Sequence, residues 1–339
     1  MSASGEHDWL EECLQGIGKG RVTVFGDFCL DAYWLIDPDE TERSVETRLP
    51  VRRVREQRYG LGGAGNIAAN LAALGVAHVR AVGLLASDLF GRAMLEMLSA
   101  LPVSCIGMLG RQADWQTAVY AKPHVGHAEQ NRIDFGAFNV PSADSVEALG
   151  RALDRAAAGS DAVILNQQLP GGVSTPAMIE RINDVIAARP QCRFIADSRG
   201  RAERYRGACL KLNAHEAARV LGETRPAERP VPAGEAQDLT RRLFDRTAQP
   251  VFLTRGEQGL IVVDSSGLHE IPGVPIAGPT DPVGAGDTAV AAIAAVLGSG
   301  GDAVTAGRLA NIAASVTVRK LRTTGTATPE EIRRAAASS

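Results

Sequence analysis

Apolar strand patterns alternate regularly with helix patterns in the second half of this chain, and this alternation most constrains its fold. From residue 143 onwards, the segments DAVILN, CRFIAD and ACLKLN are separated or flanked by stretches with helical spacing of apolar residues. Segments that are mostly apolar are typical of strands covered on both faces. The pattern therefore predicts an α/β fold, in which helices cover both faces of a parallel sheet. A content of 36 Gly against 8 Phe, 4 Tyr and 3 Trp suits such layered packing better than a β-sandwich.

Two regions do not fit this sheet. Residues 44–60 and 115–134 contain runs in which apolar and polar side chains alternate. Strict alternation predicts strands that are buried on one face only. We expect these strands to form a small second sheet, a lid, within a single domain that spans residues 1–339.

Composition and charge argue against several classes of partner. The chain has 36 Lys and Arg against 39 Asp and Glu, and it has no long basic run, so we do not expect a nucleic-acid partner. No apolar run approaches the length of a membrane span. Five scattered cysteines without CxxC spacing predict neither a disulfide framework nor a zinc site. We expect a cytoplasmic protein that acts on small molecules.

The segment DPVGAGD, residues 281–287, carries the most chemical information. A glycine turn here leads directly into an Ala-rich helix pattern. The free amides of Gly284, Ala285 and Gly286, together with the helix dipole, would form an anion hole suited to a phosphate. No Lys-Ser/Thr pair follows the glycines, so the segment is not a Walker A loop. Asp287 is either a base beside that phosphate or a simple helix cap, and the residues alone leave both roles open.

Two segments of the N-terminal half are candidates for binding a polar ligand. Asp27 and Asp31 follow the first strand pattern, where carboxylates can bind sugar hydroxyls or simply serve turns. The segment Gly60–Asn66 contains GxGxxG, but the polar residues before it are not the buried strand that a dinucleotide fingerprint needs. A glycine turn that approaches a ligand, with Asn66 in reach of it, fits better. A nicotinamide-dependent dehydrogenase is the alternative.

Two further segments follow strand patterns in the C-terminal half. Asn213 and Glu216 supply an amide and a carboxylate, which suit a hydrated Mg²⁺ near phosphates, although NxxE alone is common. The segment Thr254–Gly259 is either the wall of a nucleotide pocket or a plain hairpin.

Taken in order, GDFCLD, GGAGN, NAHE, TRGEQG and DPVGAGD resemble the motif set of the ribokinase-like (PfkB) carbohydrate kinases, over about residues 20–328. Within that family the chain looks most similar to the kinase part of the heptose 7-phosphate kinases, on GDFCLDAYW, LGGAGNIAANLAALG, NRIDF, DSRG and KLRTTGT. The resemblance implies a doubly wound, mostly parallel sheet with a β-sheet lid. It also implies an ATP-dependent kinase for a sugar or sugar phosphate, with a heptose 7-phosphate-like substrate favoured.

The resemblance also assigns roles to single residues. Asp287 would be the general base, beside an anion hole formed by Gly284, Ala285 and Gly286. The sugar would be bound by Asp27, Asp31, Gly62, Gly63 and Asn66. The nucleotide would be bound by Asn213, Glu216, Thr254, Gly256, Gly259 and Asn311. Mg²⁺ would accompany ATP and contact Glu216 through water, and Asp281 and Val283 would border a site for a monovalent cation such as K⁺. The lid would cover the sugar and form a homodimer contact.

The chain departs from the heptose-kinase pattern at several positions. Pro282 stands where Thr is usual, and it removes a backbone donor. The segment 166–172 stands where that pattern carries an Asp and a Lys. A phosphorylated sugar needs cationic partners, which Arg132, Arg199 or Arg201 could supply. The alternatives are a kinase for another sugar or nucleoside, and a non-catalytic sugar- or nucleotide-binding member of the fold.

Overall fold

The structure is a computed structural model that describes residues 3–39, 42–110, 112–126, 128–223, 231–321 and 323–337. Its strands are β1 (Arg21–Gly26), β2 (Phe28–Ile36), β3 (Val54–Gly63), β4 (His78–Leu84), β5 (Val103–Leu109), β6 (Ala118–Val125), β7 (Ala128–Glu129), β8 (Ile133–Phe135), β9 (Ala162–Gln167), β10 (Arg193–Ser198), β11 (Cys209–Asn213), β12 (Val251–Thr254), β13 (Leu260–Asp264) and β14 (Gly267–Ile271). Its helices are α1 (Ala3–Ile17), α2 (Ala64–Ala73), α3 (Leu89–Ser99), α4 (Ala143–Ala157), α5 (Pro176–Ala188), α6 (Ala214–Val220), α7 (Ala233–Thr247), α8 (Ala285–Gly298), α9 (Ala303–Thr317) and α10 (Pro329–Ala337).

The larger sheet has the strand order β14-β13-β12-β11-β10-β9-β1-β4-β5 among the described residues. All neighbouring strands from β5 to β12 pair in parallel, and β13 and β14 pair antiparallel at one edge. The prediction of a mostly parallel α/β sheet is therefore confirmed. The chain leaves β1 towards β4 and later returns on the other side of β1 as β9. A crevice at the carboxyl ends of β1 and β9 is the place where such a sheet binds ligands.

Two apolar layers cover this sheet, one on each face. Along β1 the neighbouring residues Val24 and Phe25 are fully buried and belong to different clusters. One cluster includes residues of α1, α2, α8 and α9, and the other includes residues of α4 to α7. The Ala-rich α8 is buried from Thr288 to Leu297, since small side chains allow it to pack closely against α2 and α9. This packing fixes where the N-terminus of α8 lies.

The lid is confirmed as a second, smaller sheet, but its boundaries differ from the prediction. It has the order β3-β2-β6-β7, with β8 also paired to β6. Strand β2 was not predicted, because Asp27 before it and Asp31 within it suggested a turn. In the region 44–60 only residues 54–60 lie in a strand, β3, which continues to Gly63. Residues before it form a single bridge, Arg43 to Pro50, around a turn held by local hydrogen bonds of Ser44. In the region 115–134, β6, β7 and β8 form the strands.

The helices α1 and α10 both pack against the hydrophobic core. Leu10, Leu14 and Ile17 of α1 are buried, so this helix packs into the core. At α10, Thr328 and Glu331 exchange hydrogen bonds as the capping-box pattern predicts. No helix in the described part of the chain is long and apolar enough to cross a bilayer.

Candidate active site

The turn before α8 lies at the carboxyl edge of the larger sheet. Gly284 is the N-cap and has φ 83°, a left-handed conformation that glycine adopts without strain. A Cβ atom there would also lie 3.1 Å from Asn66 Nδ2, so the turn packs tightly against α2. The Ala285 amide donates to the Pro282 carbonyl at 3.2 Å and closes the turn. Ala285 is thus engaged within the turn, and the amides of Gly286 and Asp287 have no bonded acceptor among the described residues.

The Asp287 carboxylate lies in the first turn of α8. Its Oδ2 accepts a hydrogen bond of 2.7 Å from Asn66 Nδ2. Burial raises the pKa of Asp287 to about 7, against the Asn66 hydrogen bond, which favours the ionised form. The charges of Asp197 and Asp31 act in the same direction as burial, and Lys211 opposes them. A carboxylate whose pKa lies near neutrality is suited to accept a proton at physiological pH.

A buried chain of hydrogen bonds fixes Asn66. Asn70 Nδ2 donates to the Asn66 carbonyl at 2.9 Å. Thr288 Oγ1 donates to Asn70 Oδ1 at 2.7 Å and lies 2.9 Å from Thr317 Oγ1. Asn66, Asn70, Thr288 and Thr317 are all buried, so each bond would be costly to leave unmade. The chain therefore joins α2, α8 and α9 behind the carboxylate.

Asp27, predicted to bind sugar, has its carboxylate turned towards the backbone. Its oxygens accept hydrogen bonds from the amides of Gln168, Leu169 and Val173, at 2.8 to 2.9 Å. A Cβ atom at Gly172 would lie 2.1 Å from Asp27 Oδ1, so the segment wraps closely around the carboxylate. The geometry makes Asp27 a residue that positions the segment 168–173.

Asp31 lies on β2 and faces the glycines at the end of β3. Lys122 Nζ lies 2.8 Å from Asp31 Oδ1 and 3.4 Å from the Tyr33 hydroxyl. A Cβ atom at Gly62 would lie 2.9 Å from Cys29 Sγ and 3.3 Å from Asp31 Oδ2, so this position has no room for a side chain. Sequence reasoning missed Lys122. Lys122 lies two residues after Tyr120 on β6, so the alternation of side chains along a strand places both on the same face. That spacing was the sequence signal for Lys122.

Gly63 caps α2, and Gly60–Gly63 form the end of lid strand β3. A dinucleotide fingerprint needs a buried parallel strand before the glycines. Strand β3 instead pairs antiparallel with β2 in the lid. The dehydrogenase alternative is therefore wrong.

Arg132 stacks on Tyr120 in the lid, and the charge of Arg199 also acts on this tyrosine. The Arg132 guanidinium lies 4.2 Å from the centre of the Tyr120 ring and forms a two-pronged ion pair with Asp134, at 2.6 and 2.8 Å. Burial raises the pKa of Tyr120 to about 12, although the charges of Arg199 and Arg132 oppose this. Arg201 instead donates to the Ser174 carbonyl.

The predicted nucleotide residues surround the ends of β11 and β12. Asn213 and Thr254 stand opposite each other in the register of these strands. Asn213 Oδ1 accepts from the Glu216 amide, and Glu216 Oε2 accepts from the Asn213 amide, both at 2.9 Å. This capping box starts α6 and engages one Glu216 oxygen. Thr254 Oγ1 donates to the Leu212 carbonyl at 3.3 Å.

The turn after β12 contains Gly256 and Gly259, with φ 59° and 86°. A Cβ atom at Gly259 would lie 2.1 Å from the Ile271 carbonyl oxygen, so the turn presses against the end of β14. Asn311 Nδ2 donates to the neighbouring Pro272 carbonyl at 2.7 Å. Gly259 and Asn311 thus both contact the segment at the end of β14, around Pro272.

Asp281 and Val283 lie just before the α8 turn. The Asp281 amide donates to the Val318 carbonyl at 2.8 Å, and Asp281 Oδ1 accepts from the Val283 amide at 3.0 Å. This short loop is thereby tied to the C-terminal end of α9. In the described ranges, no three His, Cys, Asp or Glu side chains are grouped to hold a metal ion.

The chain was compared with protein families and with curated proteins. The family model described as pfkB family carbohydrate kinase matches residues 21–331. The "Bifunctional protein HldE" of Halorhodospira halophila is 33% identical over 327 residues, which are 94% of this chain and 64% of that protein. The chain thus spans just under two thirds of that relative's length. The "D-beta-D-heptose 7-phosphate kinase" of Bordetella bronchiseptica is 31% identical over 324 residues, covering 91% of this chain and 93% of that protein.

Solved structures agree on the fold. A ribokinase of Arabidopsis thaliana, complexed with ribose and ATP, matches with a TM-score of 0.72 and 19% identity. Phosphofructokinase-2 of Escherichia coli, in complex with potassium, matches with a TM-score of 0.73 and 16% identity. Each comparison covers 94% of this chain and 99% of the other. The chain has the ribokinase-like fold and belongs to the pfkB family of carbohydrate kinases, which are phosphotransferases with an alcohol group as acceptor.

Proposed function

We propose that this chain transfers the γ-phosphoryl group of ATP to a hydroxyl of a phosphorylated sugar of the heptose 7-phosphate type. One observation carries the reaction. A carboxylate with a pKa of about 7 lies in the first turn of α8, beside backbone amides that have no acceptor in the described chain. The name of the relative from Bordetella bronchiseptica, a D-beta-D-heptose 7-phosphate kinase, supports the substrate class.

In the proposed reaction, Asp287 accepts the proton of the sugar hydroxyl as its oxygen bonds to the γ-phosphorus. The bond from that phosphorus to the β–γ bridging oxygen breaks, and ADP leaves with the bond's electron pair. The amides of Gly284, Gly286 and Asp287, with the dipole of α8, stabilise the charge on the migrating group. A positioned base of this kind contributes roughly 10²–10⁴-fold to the rate.

The sugar end of the site is proposed to use Asp31, Asn66 and the glycines at the end of β3, Gly62 and Gly63. Asp27 would not contact the sugar directly and would act by holding the segment 168–173 in place. Arg132, which stacks on Tyr120, and Arg199, whose charge acts on the same tyrosine, are the proposed partners of the phosphate that the substrate already carries.

The nucleotide end would use Asn213, Glu216, Thr254, Gly256, Gly259 and Asn311. Kinases of this family use ATP with a divalent metal. Glu216 fits such an ion, because the capping box engages only one of its oxygens and Mg²⁺ prefers oxygen ligands that include water. When bound, Mg²⁺ would neutralise charge on the phosphates.

We propose K⁺ as the ion beside Asp281 and Val283. The Asp281 carboxylate and the backbone carbonyls of that short loop are oxygen donors of the kind that such a cation takes. Pro282 lacks only an amide proton, which a cation does not use. The single-domain organisation and a homodimer through the lid stay predictions.

The proposal is tested by measuring ADP release over a set of sugar monophosphates, free sugars and nucleosides. We expect release that depends on a heptose 7-phosphate and that is much weaker with the unphosphorylated sugar. Preference for a free sugar or a nucleoside would replace the substrate class and leave a kinase. Absence of acceptor-dependent release throughout the set would favour a non-catalytic binding protein.

A further inference from the structure

A buried lysine lies directly beneath the turn that starts α8. Lys211 is on β11 and is only 6% exposed. Its Nζ lies 3.0 Å from Oδ1 of Asp197, which stands opposite it on β10 and is 3% exposed. Neither residue was predicted as part of the site, although a lysine within the apolar strand CLKLN is a visible signal.

The ammonium group lies close to the glycine turn at Gly286. A Cβ atom at Gly286 would lie 3.0 Å from Lys211 Nζ, so a side chain at residue 286 would require the lysine to shift. The N-terminus of a helix carries partial positive charge and favours anions. The carboxylates of Asp197 and Asp287 offset part of the repulsion between this end of the helix and the ammonium, and an anion between the amides and the ammonium would be bound from both sides. The arrangement therefore points to a negatively charged group that binds between the amides and the ammonium.

The surrounding charges keep this lysine ionised. Burial disfavours its charge, but the carboxylates of Asp197 and Glu216 outweigh that effect and hold the pKa of Lys211 above its ordinary value. Asp287 faces it as well and acts in the same direction. The surrounding carboxylates thus favour the charged form of this ammonium group at the start of α8.

Asp197 is itself held from the other side. Its Oδ2 accepts from Asn166 Nδ2 at 3.2 Å and from Gln168 Nε2 at 3.4 Å, which leaves Oδ1 to Lys211. A buried ion pair is weak evidence for stability, because the loss of hydration offsets the attraction between the charges. The pair is better explained by a positioning role, in which Asp197 orients the ammonium group of Lys211.

We propose that Lys211 is a catalytic residue that binds the γ-phosphate of the nucleotide and follows it during transfer, and that Asp197 is its positioning residue. This inference rests on the proposed function. The Lys211 ammonium group would pair with the oxygens of the γ-phosphoryl group. Negative charge develops on these oxygens while the bond to the sugar oxygen forms and the bond to ADP breaks. Lys211 exchanges no proton in this step, since Asp287 takes the hydroxyl proton.

Nucleotide binding without sugar tests the γ-phosphate contact independently of turnover. Titration calorimetry with ATP and with ADP gives the ratio of the two affinities. We expect Lys211→Met to weaken ATP binding at least about tenfold while ADP binding stays within twofold. Lys122→Met is the matched control. Lys122 is half-buried and its Nζ lies 2.8 Å from Asp31 Oδ1, so this variant also removes a lysine that is paired with an aspartate. That control should preserve the ATP-to-ADP ratio and raise the KM for the sugar.

Kinetics then separate a catalytic from a structural role. We expect Lys211→Met to lower kcat about 10²–10³-fold, as for the loss of one transition-state donor, and Lys211→Arg to restore part of it. Since Lys211 lowers the pKa of Asp287 and Asp197 raises it, Lys211→Met should move the acid limb of the rate profile to higher pH. Asp197→Asn should move that limb to lower pH.

If the Asp197–Lys211 pair were purely structural, its removal would lower the melting temperature of the protein and leave these readouts unchanged. The double variant Asp197→Asn/Lys211→Met removes both buried charges together, so it guards against a single variant that does not fold. An unchanged ATP-to-ADP ratio in Lys211→Met, or in the double variant, would overturn the inference while leaving the kinase assignment intact. Wild-type protein that shows no acceptor-dependent ADP release would instead refute the proposed function.

Discussion

The turn at α8 and the lid face one site but are held by different interactions. Behind the turn, Asn66, Asn70 and Thr288 share neutral hydrogen bonds in a buried network. The lid carries exposed ion pairs, such as Arg55 with Asp37. Buried hydrogen bonds are costly to leave unmade, whereas exposed ion pairs contribute about 0–1 kcal/mol. The comparison teaches that the base stands on a fixed, buried frame, whereas the lid is fixed beside its glycines by the Asp31–Lys122 pair and held elsewhere by weaker, exposed pairs.

The largest effect should come from the fixed frame. We expect Asp287→Asn to keep the fold and nucleotide binding but to lower kcat roughly 10²–10⁴-fold, because the amide cannot take the hydroxyl proton. Asp144→Asn, an exposed aspartate in the first turn of α4, is the control with the same change at a helix N-terminus. Steady-state ADP release measures both. Near-normal turnover of Asp287→Asn would remove the base from the mechanism.

The same carboxylate predicts a pH profile. Its pKa is raised to about 7, and only the deprotonated form accepts a proton, so kcat/KM should fall about tenfold per unit below pH 7. Asn66→Ala removes a hydrogen bond that favours the ionised form, and it should move this limb to higher pH. A profile that stays flat between pH 5 and 8 would contradict the assignment.

A third experiment compares the two regions in stability. Thr288→Val leaves Asn70 Oδ1 without its donor, which should lower the free energy of unfolding by about 1–3 kcal/mol. Arg55→Ala in the lid should change it by about 0–1 kcal/mol. Denaturant titration gives both values. Equal losses would show that the lid is as firmly built as the frame.

The regular part of the fold was predictable from sequence because local pattern and burial agree there. The strands β9, β10 and β11 are apolar runs with two covered faces, and they lie close to where the pattern put them. The lid strand β2 was missed, since Asp27 and Asp31 read locally as turn residues while long-range pairing with β3 and β6 makes the strand.

The site was predictable to a similar degree. Motif order indicated Asp287 and Asn66, and the two residues are hydrogen-bonded. It did not indicate that Asp27 faces backbone amides, nor that Lys122 lies beside Asp31 and Lys211 beside the turn of α8. Those features depend on which strands become neighbours, and the sequence pattern of one strand carries no such information.

A smaller effect is expected at the lid. Arg132→Ala should raise KM for a sugar phosphate roughly tenfold and leave the KM for its unphosphorylated analogue unchanged, because a charge-assisted contact to phosphate is lost. Arg151→Ala, an exposed arginine paired with Glu147 on α4, is the control. An equal rise for both sugars would mean that Arg132 shapes the lid through Asp134 and does not contact the phosphate.

The smallest effect links the base to folding stability. A carboxyl whose folded pKa is raised from 3.8 to about 7 binds more protons in the native state than in the unfolded state between these values. Its contribution to stability is therefore lost as pH rises through that window. Asp287→Asn lacks this loss, so its melting temperature should exceed that of the wild type by on the order of a few degrees at pH 8, and by less at pH 5. Thermal melts at the two pH values measure the difference. An equal difference in melting temperature at pH 5 and pH 8 would contradict this. It would show that burial does not destabilise the ionised carboxylate, and that the fixed frame holds Asp287 at no cost in folding stability.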